Sequence, residues 1–247
     1  MLVRNVRLTL ILALLSLASV AMLPAQEEAQ DSVKFTVDAG FAHTSGNSDV
    51  TSISGGQTFR YMTGAWILSQ SFDVLFNRTG DSTTAENYQG KVRGDRTFGQ
   101  DDRLAMFLAL RGSKDRFAGI NRRFEEALGL SYEVIKTSKD IVRVEGGASL
   151  VQQQGTTGVD NNYPAALTGA NYLHYFTPDA TFSLSGEYIP NLQDGEDYRL
   201  NGEAKLLAPL SGAISLSVSY LIRYDNLPEP GFKSTDRFFV SGIQLSL

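Results

Sequence analysis

The chain has 247 residues, 42% hydrophobic and 20% charged, enough apolar material for one folded domain of good size. It has no cysteine, only two histidines (His43 and His174) and a net charge of −5. Those counts exclude a disulfide framework, a thiolate site and a cysteine nucleophile, and they argue against a multi-histidine metal centre and a nucleic-acid binder.

Residues 1–25 read as a secretory signal peptide. Arg4 and Arg7 supply the basic start, and the run from Leu8 to Val20 supplies an apolar stretch of the usual length. Ser19-Val20-Ala21 fits a small-x-small cleavage rule, and cleavage after Ala25 is the alternative; both stay open. The run is shorter than the ~20 apolar residues of a spanning helix. Loss of Arg4 and Arg7 leaves 20 basic against 27 acidic residues. A short polar lead, 26–32, follows.

From Val33 onward the chain alternates with period two, as a strand with one apolar face requires. Val33, Phe35, Val37 and Phe41 oppose Lys34, Thr36 and Asp38. Trp66, Leu68, Phe72, Val74 and Phe76 oppose Ser69, Ser71 and Asp73. Phe124, Leu128, Leu130 and Tyr132 oppose Glu125, Ser131 and Glu133, and Leu216, Val218, Tyr220 and Ile222 oppose Ser215, Ser217 and Ser219. The spacing predicts twelve strands of roughly bilayer-crossing length, at about 33–44, 50–61, 66–78, 86–98, 103–113, 122–135, 141–153, 164–176, 181–190, 197–207, 213–224 and 236–247. The strand at 164–176 has the poorest face, because Asn171 and His174 interrupt it. No helical period follows the signal, and 33–247 reads as one domain.

Alternation suits a soluble barrel as well as a membrane barrel, in which the apolar face points outward. Three features favour the membrane. Charges sit mid-strand on the polar face (Lys91, Arg93, Asp95; Arg199, Glu203, Lys205), roughly seven basic against eight acidic in all, so opposite charges can pair across strands. The links alternate: tight at 62–65, 99–102, 136–140, 177–180 and 208–212, longer at 79–85, 114–121, 154–163, 191–196 and 225–235, as short periplasmic turns and longer external loops would. The link at 45–49 is a short exception. The chain also stops on a strand, with Phe239, Ile243, Leu245 and Leu247 on one face. Tyr61, Phe98, Tyr132, Tyr188 and Tyr224, near strand ends, suit interfacial girdles. The expected fold is all-β: a single up-and-down antiparallel transmembrane barrel.

Four segments, Gly40-Phe41-Ala42-His43-Thr44-Ser45-Gly46-Asn47-Ser48-Asp49, Glu86-Asn87-Tyr88, Asp115-Arg116-Phe117-Ala118-Gly119-Ile120 and Gly129-Leu130-Ser131-Tyr132, resemble the salt-induced outer-membrane proteins, the domain-of-unknown-function family DUF481. The likeness runs from about residue 33 to the C-terminus. It implies a barrel in the outer membrane and an association with salt response, and it brings no catalytic residue and no ligand. The first segment also reads as a hairpin turn, with Ser45, Asn47 and Asp49 able to bond nearby backbone and Gly46 or Asn47 able to take positive φ. Asp115-Arg116 reads as an ion pair anchoring a loop.

A lipid hydrolase would need a nucleophile and a base within reach. His43 and Ser45 are the one candidate pair, with no acid pattern around them, and His174 reads as an interfacial or lumen residue. Gly55-Gly56 and Gly146-Gly147 lie inside strands, where they suit bends or close packing in a barrel wall rather than phosphate cradles. The expectation is therefore a non-enzymatic pore or envelope structural protein of the cell outer membrane, with no catalytic residue, cofactor or metal. Its partners would be outer-membrane lipid and, during insertion, the assembly machinery, and it would be a monomer that binds no nucleic acid. The alternatives are an outer-membrane lipid-modifying enzyme and a soluble periplasmic ligand-binding barrel.

Overall fold

The computed structural model describes residues 32–44, 50–79 and 82–246. The expected signal peptide, its cleavage sites, the polar lead up to Asp31, the turn at 45–49 and Leu247 lie outside the described residues. Twelve strands follow in order: β1 (Ser32–Thr44), β2 (Val50–Thr63), β3 (Trp66–Thr79), β4 (Ser82–Phe98), β5 (Leu104–Asp115), β6 (Ile120–Lys136), β7 (Asp140–Gly155), β8 (Asp160–Tyr175), β9 (Thr181–Pro190), β10 (Tyr198–Ser211), β11 (Ile214–Asp225) and β12 (Thr235–Ser246). Each pairs antiparallel with its sequence neighbours, and β12 returns to β1, so the sheet closes into a barrel. No helix among the described residues is long and apolar enough to cross a membrane.

The faces are arranged as a membrane barrel requires. Phe72, Leu108, Leu130 and Leu216 point outward and are 45%, 38%, 55% and 39% exposed. Arg93 and Glu145 point inward and meet each other with side chains 11% and 15% exposed. A soluble barrel would bury the first set and wet the second. With the strands paired in a ring, backbone N–H and C=O groups are satisfied inside the sheet along most of its circumference, as crossing hydrocarbon requires; the upper part of the β1–β12 seam is the exception. Polar side chains on the outer face satisfy one another: Gln57 Nε2 donates to Gln70 Oε1 at 2.8 Å across β2 and β3.

Aromatic residues mark both rims. At the end opposite the termini, the rings of Tyr188, Tyr198 and Tyr224 stand 5.7 and 5.9 Å apart in succession. At the other end Arg96 lies over Trp66 and Phe98 at 5.4 and 5.5 Å, and His174 packs edge-on against Phe176 at 4.6 Å. Such rings are favourable where an apolar surface meets headgroups.

The expected loop asymmetry is weaker than the sequence suggested. β4 begins at Ser82, β5 runs to Asp115 with β6 starting at Ile120, and β7 runs to Gly155 with β8 starting at Asp160, so the links expected at 79–85, 114–121 and 154–163 all shorten. Ladder pairing continues up those hairpins, for example Arg78 with Thr83 and Gln154 with Asp160, because pairing satisfies backbone groups that a loop would leave to solvent. Only 191–197 and 226–234 remain extended links. The inner side of β8 carries Tyr163, Ala165 and Leu167, buried with Phe107, Ala109, Val151 and Ile189 in an apolar cluster inside the barrel.

Candidate functional site

The site is the lumen. Residues of alternate positions on β3, β4, β9, β10 and β11 bring hydroxyls and charges inward, because a strand with one face in lipid must send its polar residues to the other. A cavity of about 650 Å³ remains between the walls, and ten basic and ten acidic residues line it. The expected balance of charge thus holds on the inner face.

Ion pairs join neighbouring strands, as expected, for example Arg111 with Glu125 and Arg143 with Glu133, and others cross the lumen. Arg111 of β5 reaches Glu187 of β9 at 2.8 Å. Arg199 of β10 donates through Nη1 to Glu125 of β6. Arg93 of β4 bonds both Asp95 and Glu145 of β7 at 2.8 Å, with its guanidinium 4.0 Å above the Phe107 ring. Arg223 of β11 donates to Gln89 of β4 at 2.8 Å, and Lys205 of β10 meets Asp38 of β1 at 3.2 Å. These bridges constrain the cross-section. A round twelve-stranded barrel with strands ~4.8 Å apart and tilted ~40° would be about 24 Å across, and strands four places apart would lie about 21 Å from each other. An extended arginine meeting a glutamate tip to tip spans only about 14 Å. Strands β5 and β9, and β6 and β10, are four places apart, so the barrel is pinched there.

The bend that permits this falls at β6–β7. Gly129 and Gly147 are direct partners. A Cβ on Gly129 would stand 2.7 Å from the Phe107 ring and 2.4 Å from the Gly146 carbonyl oxygen, and one on Gly147 would stand 2.3 Å from the Leu128 carbonyl oxygen. Only glycine lets the wall fold this sharply. Gly147 thus packs as the sequence suggested for these pairs.

A strap narrows the loop end. The link 226–234 leaves β11 and leans to the far wall, where Gln153 of β7 donates from Nε2 to Glu229 Oε1 at 3.0 Å. Gln153 in turn accepts from Arg123 Nε at 2.7 Å. Glu229 and Phe232 press on Gly119, whose φ of +77° and lack of a Cβ both matter: an added Cβ would lie 2.6 Å from Glu229 Cβ and 2.7 Å from the Phe232 ring. The segment ending in Gly119 is the one singled out as a loop anchor. Of its two charges, Asp115 accepts from Asn87 Nδ2 at 2.6 Å and from the Ala118 N–H at 3.1 Å, and Arg116 faces Glu86 at 3.8 Å.

The proposed His43–Ser45 pair is not assembled by anything visible: Ser45 lies outside the described residues, and of His43 only its backbone pairing with Thr51 is described. His174 sits at the rim, its Nδ1 2.8 Å from Asp140 Oδ1, which also accepts from the Tyr172 hydroxyl at 2.8 Å. No group of histidines and carboxylates among the described residues could hold a metal ion. The sequence reading missed the inner apolar cluster and the strap. The unbroken apolar run from Leu104 to Leu110 was the available signal for the first, since a strand apolar on both faces is packed on both.

The family profile described as "Protein of unknown function, DUF481" matches residues 37–243. A search of curated proteins found no match. Among solved structures the chain is similar to the NanC porin, at 11% identity over 87% of this chain and 100% of that one with a TM-score of 0.52. It is also similar to the COG4313 outer membrane channel from Pseudomonas putida F1, at 11% identity over 92% and 99% of the two chains with a TM-score of 0.51. At such identities the likeness is one of fold: a closed antiparallel barrel.

Proposed function

The chain belongs to the DUF481 family, a family of unknown function, and we propose that it is a narrow, non-enzymatic pore of the outer membrane. The observation that carries this reading is the inverted barrel: apolar side chains outward, and inside it a cavity of about 650 Å³ lined by ten basic and ten acidic residues. In this reading residues 1–25 direct export and are removed, the assembly machinery inserts the barrel as a monomer, and the tight turns and both chain ends face the periplasm.

Equal numbers of the two signs leave no strong preference for cations or anions. The lumen is crossed by salt bridges and narrowed by the strap, so conductance is small and limited to small hydrophilic solutes. Reconstitution into planar bilayers tests this. The expected record shows small conductance steps with a reversal potential near zero in a salt gradient. A protein that inserts and passes neither ions nor small solutes would remove the pore and leave an envelope structural protein.

A further inference from the structure

The ring of strands is closed unevenly. Among the described residues, the ladder between β1 and β12 runs only over 36–39 of β1 against 243–246 of β12. Above that point β1 continues to Thr44 paired with β2 alone, and β12 starts at Thr235 paired with β11 alone. At the last contact the strands touch through Gly40 and Gly242, where a Cβ on Gly242 would lie 2.2 Å from the Ala39 carbonyl oxygen. Every other pair of neighbouring strands keeps its ladder far longer; β1 and β2, for example, pair over 32–44 against 50–62.

The break lies inside the apolar band. Tyr224, of the aromatic rim, pairs with Thr235, and Phe239 lies further in, opposite Tyr220. Strand edges facing hydrocarbon cost several kcal/mol per unsatisfied group, and open backbone is tolerated at that depth where it borders a water-filled cavity. The cavity does reach this seam: Gly40, Ser54, Val240 and Gly242 line it. The outer lips of the seam are Phe41 and Phe239, both 71% exposed, more than any other large apolar side chain among the described residues. Its inner lip is also apolar. Phe238 and Val240 of β12 and Leu221 of β11 face the cavity, apart from the apolar cluster on β5, β7, β8 and β9. Asp38 and Lys205, paired at 3.2 Å, lie on the lumen side within the same cavity.

We propose that the seam between β1 and β12, beyond the contact of Gly40 with Gly242, is a lateral slit that admits the hydrocarbon chain of a single-chain ionic amphiphile from the bilayer, with its head group in the charged lumen. The occupant follows from the surfaces. An apolar lip inside and outside suits a flexible chain, the lumen offers water and both signs of charge to a head group, and the surrounding solvent at this depth is lipid. This inference goes beyond ion conduction, and its test is independent of it.

The absence of cysteine makes a cross-link clean. If the ladder continued, Phe41 would face Ser241. The full barrel carrying Phe41→Cys and Ser241→Cys is placed in nanodiscs and probed by electron spin resonance with nitroxide-labelled stearic acid. The expected result is a motionally restricted component in excess of the lipid shell that surrounds any barrel, full in the wild type and smaller but present in the reduced variant, which lacks the Phe41 lip. Oxidation abolishes it and reduction restores it. A control bridge at Leu206→Cys and Val218→Cys, inside the intact β10–β11 ladder, leaves it unchanged. The proposal is overturned if the wild type shows no such excess, or if a fully oxidised seam retains it. Ion conductance of the same oxidised protein persists, so failure of the slit and failure of the pore are told apart.

Discussion

Glu125 is the most informative residue to neutralise. It is almost fully buried on the inner face of β6, accepts from Arg199 across the lumen, and stands 3.6 Å from Arg111. Arg111 has a second partner in Glu187. Arg199 has none among the described residues, and its Nε and Nη2 are already without a hydrogen bond. Glu125→Ala therefore strands one buried guanidinium, a change that costs about 3–5 kcal/mol. Glu125→Gln keeps a hydrogen bond worth about 1 kcal/mol, so its loss is about 2–4 kcal/mol. Adding Arg199→Met removes the stranded charge and returns stability to within about 1 kcal/mol of the wild type, since a buried pair replaced by apolar side chains is close to neutral. Arg199→Met thus recovers about 2–4 kcal/mol of the Glu125→Ala loss, a non-additivity that measures their coupling. Equilibrium urea unfolding in phospholipid vesicles reads it, with fluorescence of the single tryptophan, Trp66, as the signal. A Glu125→Gln barrel within 0.5 kcal/mol of the wild type, or additive single and double variants, would refute the wall-to-wall bridge.

Three further outcomes are expected. Gly119→Val collides with Glu229 and Phe232 at a φ of +77°, at a local cost of about 1–3 kcal/mol. It lifts the strap and raises single-channel conductance in planar bilayers; unchanged conductance would show that the strap does not narrow the path. Leu130→Arg puts a charge on the lipid face of β6 and costs about 2–4 kcal/mol in the same urea assay, whereas a soluble barrel would show a change within 0.5 kcal/mol on its surface. Trp66, at the rim beside Arg96, is quenched by lipids brominated near the headgroup more strongly than by lipids brominated at the chain ends; the reverse order would move the rim.

Much of this fold was legible because a barrel wall writes itself into the chain locally. Period-two alternation placed Phe72, Leu108, Leu130 and Leu216 on one face and Arg93, Glu145 and Lys205 on the other, and the strand count of twelve follows from turns spaced along the chain. The structure keeps both. The same local logic went astray where pairing extends past the apolar pattern. At β4, β7 and β8 the polar ends of hairpins looked like loops, yet they are ladder. β8 read poorly because Asn171 and His174 interrupt its alternation; that its inner residues Tyr163, Ala165 and Leu167 pack against side chains from β5, β7 and β9 is something no neighbour in sequence announces.

By itself, then, the order of residues determined that strands form, how many there are and which residues share a face, because each of those depends on residues close together in the chain; that the apolar face points outward is seen in the exposures. Which arginine meets which carboxylate, where the wall bends, where link 226–234 lands and how far β1 and β12 pair were decided only in three dimensions. Arg199 and Glu125 are joined across a lumen by a pinch beside the close-packed glycines of β6 and β7, and a contact between strands four places apart has no period by which a one-dimensional reading could find it.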